Sequence, residues 1–141
     1  MPLSTTQFGR TGQTSTRIGF GAWAIGGTWG EVSLADAKAT LHASLDEGVT
    51  FIDTADVYGD GRSERIIAEV LAERTGPRPY VATKAGRRLS PHTAEGYTGA
   101  NIEAFIDRSL TNLRVDCLDL VQLHCPPTPV YSDPAIYDAL E

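Results

Sequence analysis

The sequence predicts an α/β protein built on a parallel sheet, and three observations carry that expectation. Apolar runs of strand length alternate with amphipathic helical patterns three times, at a repeat of about thirty to forty residues, the length of a βαβ unit. Right-handed crossovers set the strands of such units parallel and adjacent, with the helices outside. Asp53, Lys84 and His124 each end one of the apolar runs. The C-terminal tips of parallel strands emerge on one face, where open α/β sheets and α/β barrels carry their sites. One polar strand tip says little; three on one face describe a site.

Residues 3–18 hold two short extended candidates around Gly9-Arg10-Thr11-Gly12, a reasonable hairpin turn. A strand from Arg17 to Gly21 leads into Ala22-Trp23. Gly26-Gly27-Thr28-Trp29-Gly30 reads as a loop because its glycines prevent regular structure. The first helix spans Ser33 to Glu47. Ser33 and Asp36 resemble a capping box, Leu34, Ala37, Leu41 and Leu45 keep the helical period, and Gly48 stands at the stop. Val49 to Asp53 is the second strand of the series. A loop carrying Tyr58 then runs into a helix from about Ser63 to Arg74, with Ile66, Ile67, Val70 and Leu71 on one face and Gly76-Pro77 after it. Tyr80 to Lys84 is the next strand. A longer loop holds Arg87, Arg88, Pro91, His92 and Gly96. Gly99 to Arg114 is a helix with an apolar stripe of Ile102, Phe105, Ile106, Leu110 and Leu113. Cys117 to His124 forms the last strand, and Pro134 to Glu141 begins a further helix.

At 141 residues the chain has room for one ordinary domain core. Hydrophobic content of 41% with 21% charged residues is that of a folded globular chain. A net charge of −6 gives no basic footprint, so no nucleic-acid partner is expected. No stretch approaches the ~20 apolar residues of a membrane span, and the amino terminus lacks a signal pattern, so a cytoplasmic setting is expected. Cys117 and Cys125 lie near opposite ends of one predicted strand, roughly 26 Å apart at ~3.3 Å per residue. That is too far for a disulfide, and two free thiols suit a reducing compartment.

The strand-end residues suggest a chemistry. A tyrosine hydroxyl needs help to act as an acid near neutrality. A lysine ammonium beside it favours the phenolate, and a carboxylate keeps the lysine charged and oriented. A neutral histidine can donate a hydrogen bond to a carbonyl oxygen. Asp53, Tyr58, Lys84 and His124 supply these roles, and together they could protonate a carbonyl while hydride reaches its carbon. No side chain donates hydride, so a nicotinamide or flavin is implied.

The stretch Phe51-Ile52-Asp53-Thr54-Ala55-Asp56-Val57-Tyr58-Gly59 with Ser63-Glu64, then Ala82-Thr83-Lys84, then Asp119-Leu120-Val121-Gln122-Leu123-His124, resembles the aldo-keto reductases. Gly19-Phe20-Gly21-Ala22-Trp23 also fits the first strand of that family. The resemblance covers essentially the whole chain. It implies a (β/α)8 barrel of the TIM type, here an N-terminal hairpin with about four β/α units, one domain over residues 1–141. It further implies reduction of aldehydes or ketones to alcohols with NADP(H). On the matched motifs Tyr58 would be the acid, Lys84 and Asp53 its tuners and His124 the carbonyl orienter. Gly21, Ala22, Trp23 and Asp53 would lie beside the cofactor. The chain holds all four catalytic candidates and little of the family's cofactor cradle, which comes from the second half of the barrel.

Other readings compete with these. Gly19-Phe20-Gly21-Ala22-Trp23-Ala24 formally matches a dinucleotide fingerprint, but the glycines that follow delay the helix to Ser33, so no helix N-terminus can meet a pyrophosphate there. Gly59-Asp60-Gly61 is too short for a phosphate loop. His42, His92 and His124 are scattered, so no metal site is expected. His42 is expected on a solvated helix face, and Arg87-Arg88 as a solvated loop pair. The rival functional readings are a truncated, catalytically incompetent half-barrel, whose open edges invite self-association, and a cofactor-sensing binding subunit of the same fold.

Overall fold

The computed structural model describes residues 2–27 and 30–140. Thr28, Trp29 and Glu141 lie outside the described residues, and with them part of the expected glycine loop and the last residue of the expected final helix.

Two antiparallel strands, β1 (Thr5–Gln7) and β2 (Thr14–Thr16), form the expected hairpin. Four parallel strands follow, β3 (Phe20–Gly21), β4 (Phe51–Asp53), β5 (Tyr80–Ala85) and β6 (Leu120–Leu123), paired in the order of the sequence. Each crossover carries a helix: α1 (Leu34–Asp46), α2 (Arg62–Ala72) and α3 (Gly99–Leu113). A short α4 (Pro134–Asp138) closes the described chain. Sequential parallel pairing with every helix on one side is part of an α/β barrel, the TIM-type fold expected from the sequence.

The caps follow from residue chemistry. Ser33 Oγ accepts the N–H of Asp36 at 3.0 Å and starts α1, and Thr98 Oγ1 accepts the N–H of Asn101 at 3.3 Å and starts α3. The crossover helices bury Ala37, Leu41, Ile66, Ile67, Val70 and Leu113 against Ile52 and Val81 of the sheet. A second apolar cluster joins Ala85, Tyr97, Ile102, Val130 and Ile136 beyond β6. On the opposite face of the sheet, Phe51 stacks on Tyr80 at 6.0 Å between ring centroids, and Phe8 of the hairpin connection lies 5.4 Å from Phe51. The hairpin thus covers the inner face of the sheet below the strand tips.

Several expected boundaries move. The strand expected over 17–21 narrows to two residues, because the Arg17 N–H and the Thr16 hydroxyl are taken by the Ser4 and Ile18 carbonyls. The strand expected from Cys117 starts at Leu120, and both cysteines are exposed free thiols. Gly26 belongs to a 3₁₀ turn, Ala24–Gly26, rather than an irregular loop. Leu34, placed in the apolar stripe of α1, is exposed, so that stripe reduces to Ala37 and Leu41 with partial help from Leu45.

Candidate active site

Register delivers the site. Gly21 pairs with Asp53, Asp53 with Ala82, and Lys84 with Gln122, so Asp53 and Lys84 end adjacent strands. The ladder continues past the strand ends, where Ala22 N–H donates to the Asp53 carbonyl and His124 N–H to the Ala85 carbonyl, each at 2.8 Å. Alternation turns Val81 into the helix-side core and Thr83 towards α2, so Lys84 faces the same side as Asp53.

Lys84 is the hub. Its Nζ donates to Asp53 Oδ1 at 2.6 Å, to the Thr54 carbonyl at 2.7 Å and to Tyr58 Oη at 3.5 Å. The ammonium also lies 5.2 Å from the centroid of the Tyr58 ring. Its side chain is 15% exposed against 42% for Asp53, so the ion pair is held below the rim and its carboxylate end is wet. Tyr58 is flanked by two rings: Trp23 stacks on it at 6.1 Å, and His124 meets it edge-on at 5.9 Å. Burial, first, and then the charges of Lys84 and Arg87 push the His124 pKa down. The shift favours the neutral imidazole, which can still donate one hydrogen bond from a ring N–H. All four strand-end and loop candidates converge.

The expected cofactor-side residues sit at the tip of β3. A side chain at Gly21 would meet nothing within 4 Å, so its backbone edge is open. Trp23 is 44% exposed beside Tyr58. Ala22 is fully buried, its N–H given to Asp53 and its carbonyl accepting from Ser63 Oγ at 2.9 Å. A bare backbone edge, a flat half-exposed indole and a carboxylate fit the reactive end of a nicotinamide.

A buried polar layer beneath the site was not foreseen. Ser63 and Glu64, in the first turn of α2, are both fully buried. Ser63 Oγ bonds Thr54 Oγ1 at 2.9 Å, while Glu64 accepts from Thr83 Oγ1 at 2.7 Å and from Asn112 Nδ2 at 2.8 Å. Arg62 donates to the Ile25 and Val32 carbonyls at 2.5 and 2.7 Å, binding the turn after β3 to α2. Asp56 is also fully buried, and its carboxylate has no side-chain hydrogen-bond partner among the described residues. Burial and then the nearby charge of Glu64 push its pKa up to about 6, against the opposing pull of Arg88 and Arg108. No sequence signal marks this layer, since a Ser-Glu pair at the start of a helix is ordinarily a solvated first turn. Arg87 is exposed, as expected, whereas two other surface residues find side-chain partners. His42 is half-buried and bonds Glu73 at 3.0 Å, and the half-buried Arg88 pairs with the exposed Asp60 at 2.6 Å.

Residues 17–141 match the profile of the Aldo/keto reductase family. The chain belongs to that family. It is 38% identical over 125 residues to aldo-keto reductase YhdN of Bacillus subtilis, covering 86% of this chain and 38% of that protein. The glycerol dehydrogenase AKR11B4 of Gluconobacter oxydans superposes with a TM-score of 0.78 at 33% identity, covering 96% of this chain and 43% of its own. The aldo-keto reductase of Klebsiella pneumoniae, solved in complex with NADPH, gives 0.75 at 25% identity, covering 99% and 44%. The chain thus spans less than half the length of these relatives, all named as aldo-keto reductases or dehydrogenases. Among the described residues no helix is long and apolar enough to cross a membrane, and no group of metal-ligating side chains assembles.

Proposed function

We propose that residues 1–141 form the N-terminal part of an aldo-keto reductase barrel, one domain, and that they carry the acid–base machinery of an NADP(H)-dependent reduction of aldehydes or ketones to alcohols. The observation that carries this reading is the contact set around Lys84, which joins Asp53 Oδ1 and Tyr58 Oη through one ammonium. A bound nicotinamide would supply the hydride to the carbonyl carbon. Gly21, Trp23 and Asp53, backed by Ala22, would hold its reactive end. On the protein side, the Tyr58 hydroxyl gives its proton to the carbonyl oxygen as negative charge develops there. Lys84 stabilises the phenolate left behind, and Asp53 and the Thr54 carbonyl hold the ammonium so that it needs no rearrangement. His124, neutral, aims the carbonyl oxygen at Tyr58 by a hydrogen bond. In the reverse direction the same groups take a proton from an alcohol.

A cytoplasmic setting is consistent with nicotinamide chemistry and two exposed free thiols. The test is Tyr58→Phe in the full-length protein carrying residues 1–141. Loss of the proton donor is expected to lower kcat by about 10²–10⁴-fold with NADPH affinity nearly unchanged. Turnover at the wild-type rate would overturn the assignment.

A further inference from the structure

The loop after β5 contains a hydrogen-bond chain that the tetrad does not include. Arg87 Nη1 lies 2.9 Å from His92 Nδ1, His92 Nε2 lies 2.8 Å from Tyr97 Oη, and Tyr97 Oη lies 3.3 Å from the backbone carbonyl of His124. The chain has one consistent direction. The His124 carbonyl can only accept, so Tyr97 donates to it. Tyr97 then accepts from His92 Nε2–H, and His92 Nδ1, left bare, accepts from the Arg87 guanidinium. Burial raises the Tyr97 pKa, which keeps its hydroxyl protonated.

Tyr97 also touches the other strand end. It is buried in the apolar cluster with Ala85, and a Cβ on Gly86 would lie 2.5–2.7 Å from its ring atoms. Gly86 has φ +108, a conformation only glycine adopts without strain. The hydroxyl end of the ring therefore abuts the backbone two residues beyond Lys84, while the hydroxyl itself donates to the carbonyl of His124.

Resting on the reductase reading above, we propose that Tyr97 is a positioning residue that fixes His124 relative to Lys84, and that it is held in place by a neutral His92 bridged to Arg87.

The experiment compares variants of the full-length protein. Tyr97→Phe removes the donor to the His124 carbonyl and is expected to lower kcat about 3- to 10-fold, with the KM for NADPH unchanged. His92→Leu removes the link between Tyr97 and Arg87 and is expected to reproduce that loss. His92→Gln, which keeps one donor and one acceptor, is expected to recover most of it. Independently of turnover, the imidazole NMR signal of His124 is expected to move in Tyr97→Phe and in His92→Leu and to return towards its wild-type position in His92→Gln. Wild-type kcat together with an unmoved His124 signal in Tyr97→Phe would overturn the proposal. Loss of turnover in Tyr58→Phe alongside that result would leave the reductase reading standing. Full turnover in Tyr58→Phe would remove that reading, while the His124 signal in Tyr97→Phe still decides for or against the Tyr97 chain.

Discussion

The backbone of Gly59 lies so close against the carbonyl of Gly26 that a Cβ at position 59 would overlap it. The approach is reciprocal, since a Cβ on Gly26 would sit 2.9 Å from the carbonyl carbon of Tyr58. Gly59 also has φ +59. The turn after β3 and the loop that carries Tyr58 are thus in backbone contact, with Arg62 bonded to the Ile25 carbonyl beside them. Tyr58 takes its position from this contact as much as from β4.

Gly59→Ala is therefore expected to act on both stability and catalysis. The left-handed backbone and the overlap with Gly26 together cost about 1–3 kcal/mol, read as a lowered denaturation midpoint. Because relief requires Tyr58 to move, kcat in the full-length protein should fall by more than the loss of folded protein accounts for. A variant with lowered stability but wild-type kcat would mean that the loop recovers its position.

Lys84→Met tests the hub directly. It removes the ammonium that joins Asp53, the Thr54 carbonyl and Tyr58 while keeping most of the side-chain volume. The expected result is a fall in kcat of about 100-fold or more, with the fold retained by circular dichroism. Lys84→Arg should recover little, since a planar guanidinium cannot reproduce three convergent bonds from one atom.

Asp56 gives stability a pH dependence of unusual sign. Its pKa, raised from 3.8 to about 6, means that between those values the folded chain holds a proton that the unfolded chain has released. Stability contributed by this group is greatest below the unfolded value and is lost as pH rises through about 6. Asp56→Asn is expected to raise stability at pH 7 by on the order of 1 kcal/mol, allowing for screening by Arg88 and Arg108, and to remove that slope. Urea titrations at pH 4.5 and pH 7 measure it; a variant gain that is equal at both values would refute the assignment to Asp56.

The parallel sheet has two open edges, β3 and β6, in the described chain. Unpaired strand edges beside a partly apolar inner face favour pairing with other strands. Residues 1–141 prepared alone are expected to self-associate, seen as a sedimentation mass at least twice the 15.1 kDa of the chain. A monomer over the micromolar range would show that the edges are covered.

Much of the site was legible because it is written locally. Val49 to Ile52 ends in Asp53, the glycine-rich loop places Tyr58, and Lys84 and His124 stand at strand ends; period-two alternation and parallel pairing bring these together without tertiary detail. The polar layer beneath was not legible. Glu64 finds Thr83 and Asn112 at separations of 19 and 48 residues, and nothing in its neighbours marks a carboxylate for burial. The same holds for Arg62 and for the bond from Tyr97 to the His124 carbonyl, which depend on where loops fold rather than on a period. The strand expected from Cys117 failed for a related reason: apolar and β-branched residues mark a strand's existence better than its ends.

The pairing order of the sheet has a consequence for synthesis. Each strand of the parallel sheet bonds only the strands next to it in sequence, so no rung between Gly21 and His124 has to wait for a later unit. Domains begin folding from the N-terminal side as the chain is made. Asp53 and Tyr58 can dock on the first turn, Lys84 can join them one unit later and His124 one unit after that. The four side chains of the candidate site can in this sense assemble in the order of translation, each on a framework already built.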